Sequence, residues 1–255
     1  MTAVDPASLA MAAAMAAAAG LIGCFAVMRR MTLAADALSH VALPGIGIAL
    51  LLRVNPIFGA VAALFLGTLL IWSLERRTSF STEAVIGVVF SAALALGTLL
   101  ATGEELIAAL LGEPGALSRW ELAVGLAAAA AVIAFVLRSK DRLVVALVSP
   151  DIARTAGIDA ERLNLLYLLA FSLTVALGLR FLGALLMGAL VIIPAVAAKR
   201  LASSLRGMLG ASVAISVFST LAGTVLAARL HRETGPLIVL TAAACFFLSL
   251  LRKKL

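Results

Sequence analysis

Asp36 and His40 are the costliest residues in an otherwise apolar stretch, Ala34 to Gly45, and they stand four positions apart. On a helix that spacing stacks both side chains on one face. A carboxylate oxygen beside an imidazole nitrogen suits zinc, manganese or iron better than calcium or magnesium. Pro44 has no amide hydrogen, so the carbonyl of His40 loses its helical partner and is free to meet water, a neighbour or an ion. Residue types alone leave two readings open. In one, Asp36 and His40 are metal ligands; in the other, Asp36 is an interfacial residue paired with Arg29 or Arg30, and His40 bonds a backbone carbonyl of an adjacent span. Two ligands are too few for a metal site, and a symmetric second copy offering Asp36 and His40 again is the economical completion.

Other residues carry weaker signals. Glu83 follows Ser81 and Thr82, so it reads first as an acidic residue in a capped first turn and second as a carboxylate near a metal. His231, between Arg229 and Arg232, reads as a solvated turn residue, with partner docking as the lesser reading. Pro194 interrupts an apolar run and marks a kink or hinge, as Pro44 does. Ser149-Pro150-Asp151, continuing through Ala153 to Gly157, predicts an N-capped short helix that stops at glycine. Cys24 and Cys245 lie in separate apolar segments with no C-x-x-C spacing and are expected to be packing residues. No P-loop, H-E-x-x-H or G-x-S-x-G motif is present, so any nucleotide must be bound by another subunit.

The elements that hold these residues follow from composition. Hydrophobic residues make up 64% of the 255 and charged ones 13%, with a mean hydropathy of +1.16. A water-soluble domain could not cover its surface with that composition. Apolar stretches of about 20 residues separated by charges predict an all-α, polytopic membrane bundle, whereas a β-barrel would alternate over short segments. Spans are expected near 7–27, 33–52, 56–74, 84–102, 120–137, 162–179, 181–198, 208–228 and 236–251, about nine in one domain covering 1–255. The first run has no basic leader and reads as a retained span. Of the 20 Lys and Arg residues, about fifteen fall on one side of this topology, Arg29, Arg30, Arg76 and Arg77 among them. That side is the expected cytoplasmic one, which puts the amino terminus outside and the carboxyl terminus inside. The net charge of +7 is therefore a topology signal, and nucleic-acid binding is not expected. The outer segment from Thr102 to Arg119, with Glu104, Glu105 and Glu113, reads as a solvated loop or a docking loop. The inner segment 138–162 holds the short-helix motif.

Residue by residue, the chain resembles the integral membrane permeases of bacterial zinc, manganese and iron ABC importers. The likeness lies in Arg29-Arg30-Met31, in Asp36-Ala37-Leu38-Ser39-His40 with Leu43-Pro44-Gly45, in Glu83 to Gly87, in Ala95 to Gly97 and in Asp151 to Gly157. It extends to Gly183-Ala184-Leu185-Leu186, Ile193-Pro194-Ala195 and Thr234-Gly235-Pro236, nearly the whole chain. The resemblance implies a type II importer architecture with two copies of the permease and two cytoplasmic ATPases. It also implies a solute-binding protein that delivers the metal, and multi-pass residence in the bacterial inner membrane. Asp36 and His40 would be pore ligands for a transported ion, not for a resident cofactor. Pro150, Asp151, Ala153 and Gly157 would belong to the coupling helix that meets the ATPase. The expected function is thus a non-catalytic permease subunit. Two alternatives stand beside it: an ATP-independent cation carrier or channel, in which Asp36 would be a proton-coupled or pore-ring carboxylate, and a permease of this architecture for a siderophore or cobalamin, against which the 5% aromatic content argues.

Overall fold

Lipid offers no hydrogen bonds, so each apolar run must satisfy its own backbone, and a helix does so within one segment. The computed structural model describes residues 6–32, 34–78, 80–100 and 118–251, and these contain helices and connecting turns but no strand. The helices are α1 (Pro6–Met28), α2 (Ala34–Leu51), α3 (Pro56–Arg77), α4 (Thr82–Leu100), α5 (Arg119–Val148), α6 (Pro150–Thr155), α7 (Ala160–Leu201), α8 (Leu205–Leu230) and α9 (Thr234–Leu251). Eight of them are long and apolar enough to cross a membrane. The expected outer segment falls largely outside the described residues.

Two elements depart from the expected boundaries. α5 was expected to end near 137 but continues to Val148. Its start is fixed by a capping box between Ser118 and Glu121, and its charged stretch Arg138 to Arg142 contains good helix formers that need not end a helix when the apolar run does. The spans expected at 162–179 and 181–198 lie on the single helical run α7, 42 residues long.

That run cannot be straight. A straight α-helix would separate Tyr167 and Val191 by about 36 Å, yet both meet adjacent residues of α1. Tyr167 Oη donates to the carbonyl of Ile22 at 3.1 Å, and a side-chain carbon at Gly23 would run into the carbonyl oxygen of Val191. Gly178 likewise lies against the side chain of Met187. α7 therefore doubles back between these two residues, and its returning limb carries the residues of the span expected at 181–198. Both of its ends lie at the end of the bundle that carries Arg29, Arg76 and Arg200, since Arg76 pairs with Glu161 at 3.0 Å and Arg200 Nε donates to the carbonyl of Ser249 at 3.2 Å.

The centre of the bundle is α1 together with the returning limb, where Leu190, Val191, Ala195 and Ala198 are fully buried. Small residues and serines make this approach possible. Ser212 and Ser216 of α8 each donate from Oγ to α1 carbonyls, those of Gly20 and Ala16, at 2.7 Å. Buried Cys24 donates from Sγ to the carbonyl of Met208 at 3.7 Å. In lipid, where helix association cannot draw on a hydrophobic drive, such close packing and interhelical hydrogen bonds hold the bundle.

Candidate functional site at Asp36 and His40

α2 sits between α3, α4 and α7. Gly45 and Gly59 set the crossing with α3, because a side-chain carbon on either would strike the carbonyl oxygen of the other. On the α7 side, Gly188 faces the backbone of Asp36 itself. These contacts bury one side of α2 and leave another stripe only partly covered. Asp36, His40 and Pro44 are half-buried and Ile48 is exposed, at intervals of four. The two candidate ligands and Pro44 thus share one half-buried face of α2.

The interfacial alternative for Asp36 does not match the contacts. Arg29 donates from its guanidinium to Asn164 Oδ1 and lies 4.6 Å over the ring of Tyr167. Arg30 is exposed in a left-handed conformation with φ 59°. Asp36 has no ion pair among the described residues. Nor does His40 bond an adjacent carbonyl among the described residues: its Nδ1 is buried without a hydrogen-bond partner and its ring lies 5.5 Å from Phe90. A buried polar atom left unpaired is costly, and a ligand is the kind of partner that would relieve it. No group of three or more His, Cys, Asp or Glu that could hold a metal occurs among the described residues, so the pair is incomplete within one chain.

Glu83 is exposed in the first turn of α4, where Ser81 Oγ accepts from Ala84 N at 3.3 Å; the capping reading holds. His231 caps α8 in a left-handed conformation with φ 51° and is exposed. Pro194 lies inside the returning limb of α7.

The short helix forms as expected. Ser149 Oγ accepts from Ile152 N at 3.3 Å. At the other end Gly157 adopts φ +72°, with Gly157 N donating to Arg154 O at 3.0 Å and Ile158 N to Ala153 O at 2.8 Å. These two bonds make a Schellman termination. Asp151, Ile152 and Arg154 face outward, whereas Ala153 is fully buried and anchors the helix to the bundle.

Sequence reasoning missed the network beneath this helix. Asn164 Nδ2 donates to Glu75 Oε2 at 3.0 Å, and Thr82 Oγ1 donates to Glu75 Oε1 at 2.5 Å. With Arg29, these residues tie the basic ends of α1, α3, α4 and α7 around a cavity of about 560 Å³ that Arg154 of the short helix also lines. Burial pulls the Arg29 guanidinium below its ordinary value, while Tyr167 and Glu75 push the other way. The only local sign of this network was polar residues at segment ends.

The profile of the ABC 3 transport family matches residues 4–253. The chain belongs to that family. Among relatives of this ABC 3 chain is the high-affinity zinc uptake system membrane protein ZnuB of Haemophilus influenzae, 30% identical over 239 residues, which are 91% of each chain. Another is the manganese transport system membrane protein MntC of Halalkalibacterium halodurans, 32% identical over 235 residues, 90% of this chain and 80% of that one. The fold is similar to that of PsaBC from Streptococcus pneumoniae, solved in complex with a Fab, with a TM-score of 0.81 and 26% identity, covering 95% of this chain and 89% of that one. The expected ABC permease family and its helical membrane architecture are borne out, and membership in the ABC 3 family favours an ATP-driven system over an ATP-independent carrier or channel.

Proposed function

We propose that this chain is the membrane-spanning subunit of an importer for zinc or manganese, in which two copies bring Asp36 and His40 together around the ion path. The observation that carries this reading is a carboxylate without an ion pair and an imidazole whose Nδ1 has no hydrogen-bond partner among the described residues, one turn apart on a half-buried face of α2. The zinc and manganese systems among the relatives support the choice of cargo. The ion is substrate here, held briefly and passed on.

Two cytoplasmic ATPases drive the cycle by docking on α6, whose Asp151, Ile152 and Arg154 face outward. A solute-binding protein delivers the ion at the opposite end of the bundle. The excess of basic residues at the α6 end supports a cytoplasmic location for that end in a bacterial inner membrane, with the amino terminus outside and the carboxyl terminus inside. The test is uptake of labelled zinc and manganese by cells carrying Asp36→Ala or His40→Ala. Both variants are expected to assemble with the ATPases yet lose transport, and retained uptake in either would reject the ligand assignment.

A further inference from the structure

Beside α1, away from the α2 face, α5 and α8 leave a groove of about 470 Å³. Each packs extensively on α1 but hardly on the other, so α1 forms the floor and they form the walls. The wall residues are periodic. α5 contributes Ile133, Leu137 and Lys140, and α8 contributes Arg206, Leu209 and Val213, while Ala17 and Leu21 of α1 lie beneath. Both series place one cation at one end and apolar side chains one and two turns away.

The registers align those ends. Gly125 meets Met11 where α5 runs parallel to α1. Met208, Ser212 and Ser216 meet Cys24, Gly20 and Ala16 where α8 runs antiparallel to it. Carried along at equal rise, both registers bring Lys140 and Arg206 level with Ala26, in the last turn of α1. The groove is therefore cationic at the basic end of the bundle and apolar toward the membrane centre, with an apolar length of about 10 Å along each wall. Gly210 also lines it, and a side chain there would meet nothing within 4 Å. Arg206 has no ion-pair partner among the described residues. Among the described residues Lys140 pairs only with Asp141, whose side chain is 80% exposed while that of Lys140 is 19% exposed, so solvent on the carboxylate weakens the pair and the ammonium keeps capacity for a second anion.

We infer that this groove is a binding site for an anionic phospholipid of the leaflet at the basic end, its phosphate between Lys140 and Arg206 and one acyl chain along α1. The order of charge and apolar surface matches that of a lipid, and paired cations between membrane helices at that depth select anionic headgroups. A soluble phosphate would use the cations and leave the apolar walls bare.

The test uses the full-length chain in nanodiscs or mild detergent, with bound lipid counted by native mass spectrometry. Phosphatidylglycerol should be retained about tenfold or more over phosphatidylcholine, as two interfacial cations would give. The double variant Lys140→Glu/Arg206→Glu should abolish that preference. Gly210→Leu, which fills the groove while keeping both cations, should lower phosphatidylglycerol retention and leave any glycerol 3-phosphate binding unchanged. Equal retention of the two lipids by the native chain, or unchanged retention in Gly210→Leu, would overturn the assignment. So would displacement of the lipid by glycerol 3-phosphate, or cysteine cross-links from the groove to a second copy.

Discussion

A methyl group at Gly188 would lie 3.0 Å from the nitrogen, Cα and Cβ of Asp36. The returning limb of α7 thus rests on the very turn that offers the carboxylate. Gly188→Ala is expected to push that turn by several tenths of an ångström, and Gly188→Val by more, at a cost of about 1–3 kcal/mol for overpacking. Metal uptake should fall in that order while the protein remains in the membrane, which uptake assays normalised to membrane content would read.

If two copies share the proposed site, a stoichiometry follows. Calorimetric titration of the purified complex with zinc or manganese should give one ion per two copies. Loss of groups that merely orient a ligand costs about 10–100-fold in affinity, so losing His40 or Asp36 itself should cost more than that. A ratio of one ion per chain would mean that each copy completes its own site.

The Schellman turn at Gly157 offers a separable lesion. Its φ of +72° suits glycine, and a left-handed L-residue costs about 1–2 kcal/mol. Gly157→Ala should weaken, and Gly157→Pro should abolish, the link between ATP hydrolysis and transport, since proline also removes the amide bonded to Arg154. Measured side by side, hydrolysis should persist while uptake is lost.

Arg29 should behave as a structural keystone. Arg29→Met strips Asn164 of its donor and Tyr167 of its cation. A hydrogen bond to a charged group contributes about 1.5–3 kcal/mol, and part of Arg29 is accessible, so a loss toward the lower figure is expected. A lowered midpoint in a thermal unfolding scan would show it, with no change in the metal stoichiometry.

The helical bundle was legible because its physics is local. Twenty-residue apolar runs have only one way to satisfy their backbones in lipid, and Asp36 and His40 stand out because ionisable groups are rare there. The short helix was equally legible, since Ser149 and Gly157 are its own start and stop signals. What could not be read depends on distant partners. Arg29 meets Asn164, 135 positions away, and in the sequence it looked like a topology signal or a partner for Asp36. The doubling-back of α7 was anticipated as two spans, but the sequence did not indicate that its returning limb would be seated on Asp36. The half-buried stripe on α2 emerged only once α3, α4 and α7 had taken the other sides. α5 outran its apolar stretch because helix propensity and bilayer thickness are independent constraints.

Because α7 begins and ends at the same end of the bundle, a force applied there would load its two limbs together. A displacement of α6 would reach α7 through the short link from Thr155 to Ala160. Gly188 packs so closely on Asp36 that even a methyl there would be tight, so a shift of the returning limb would bear on the turn that carries the carboxylate.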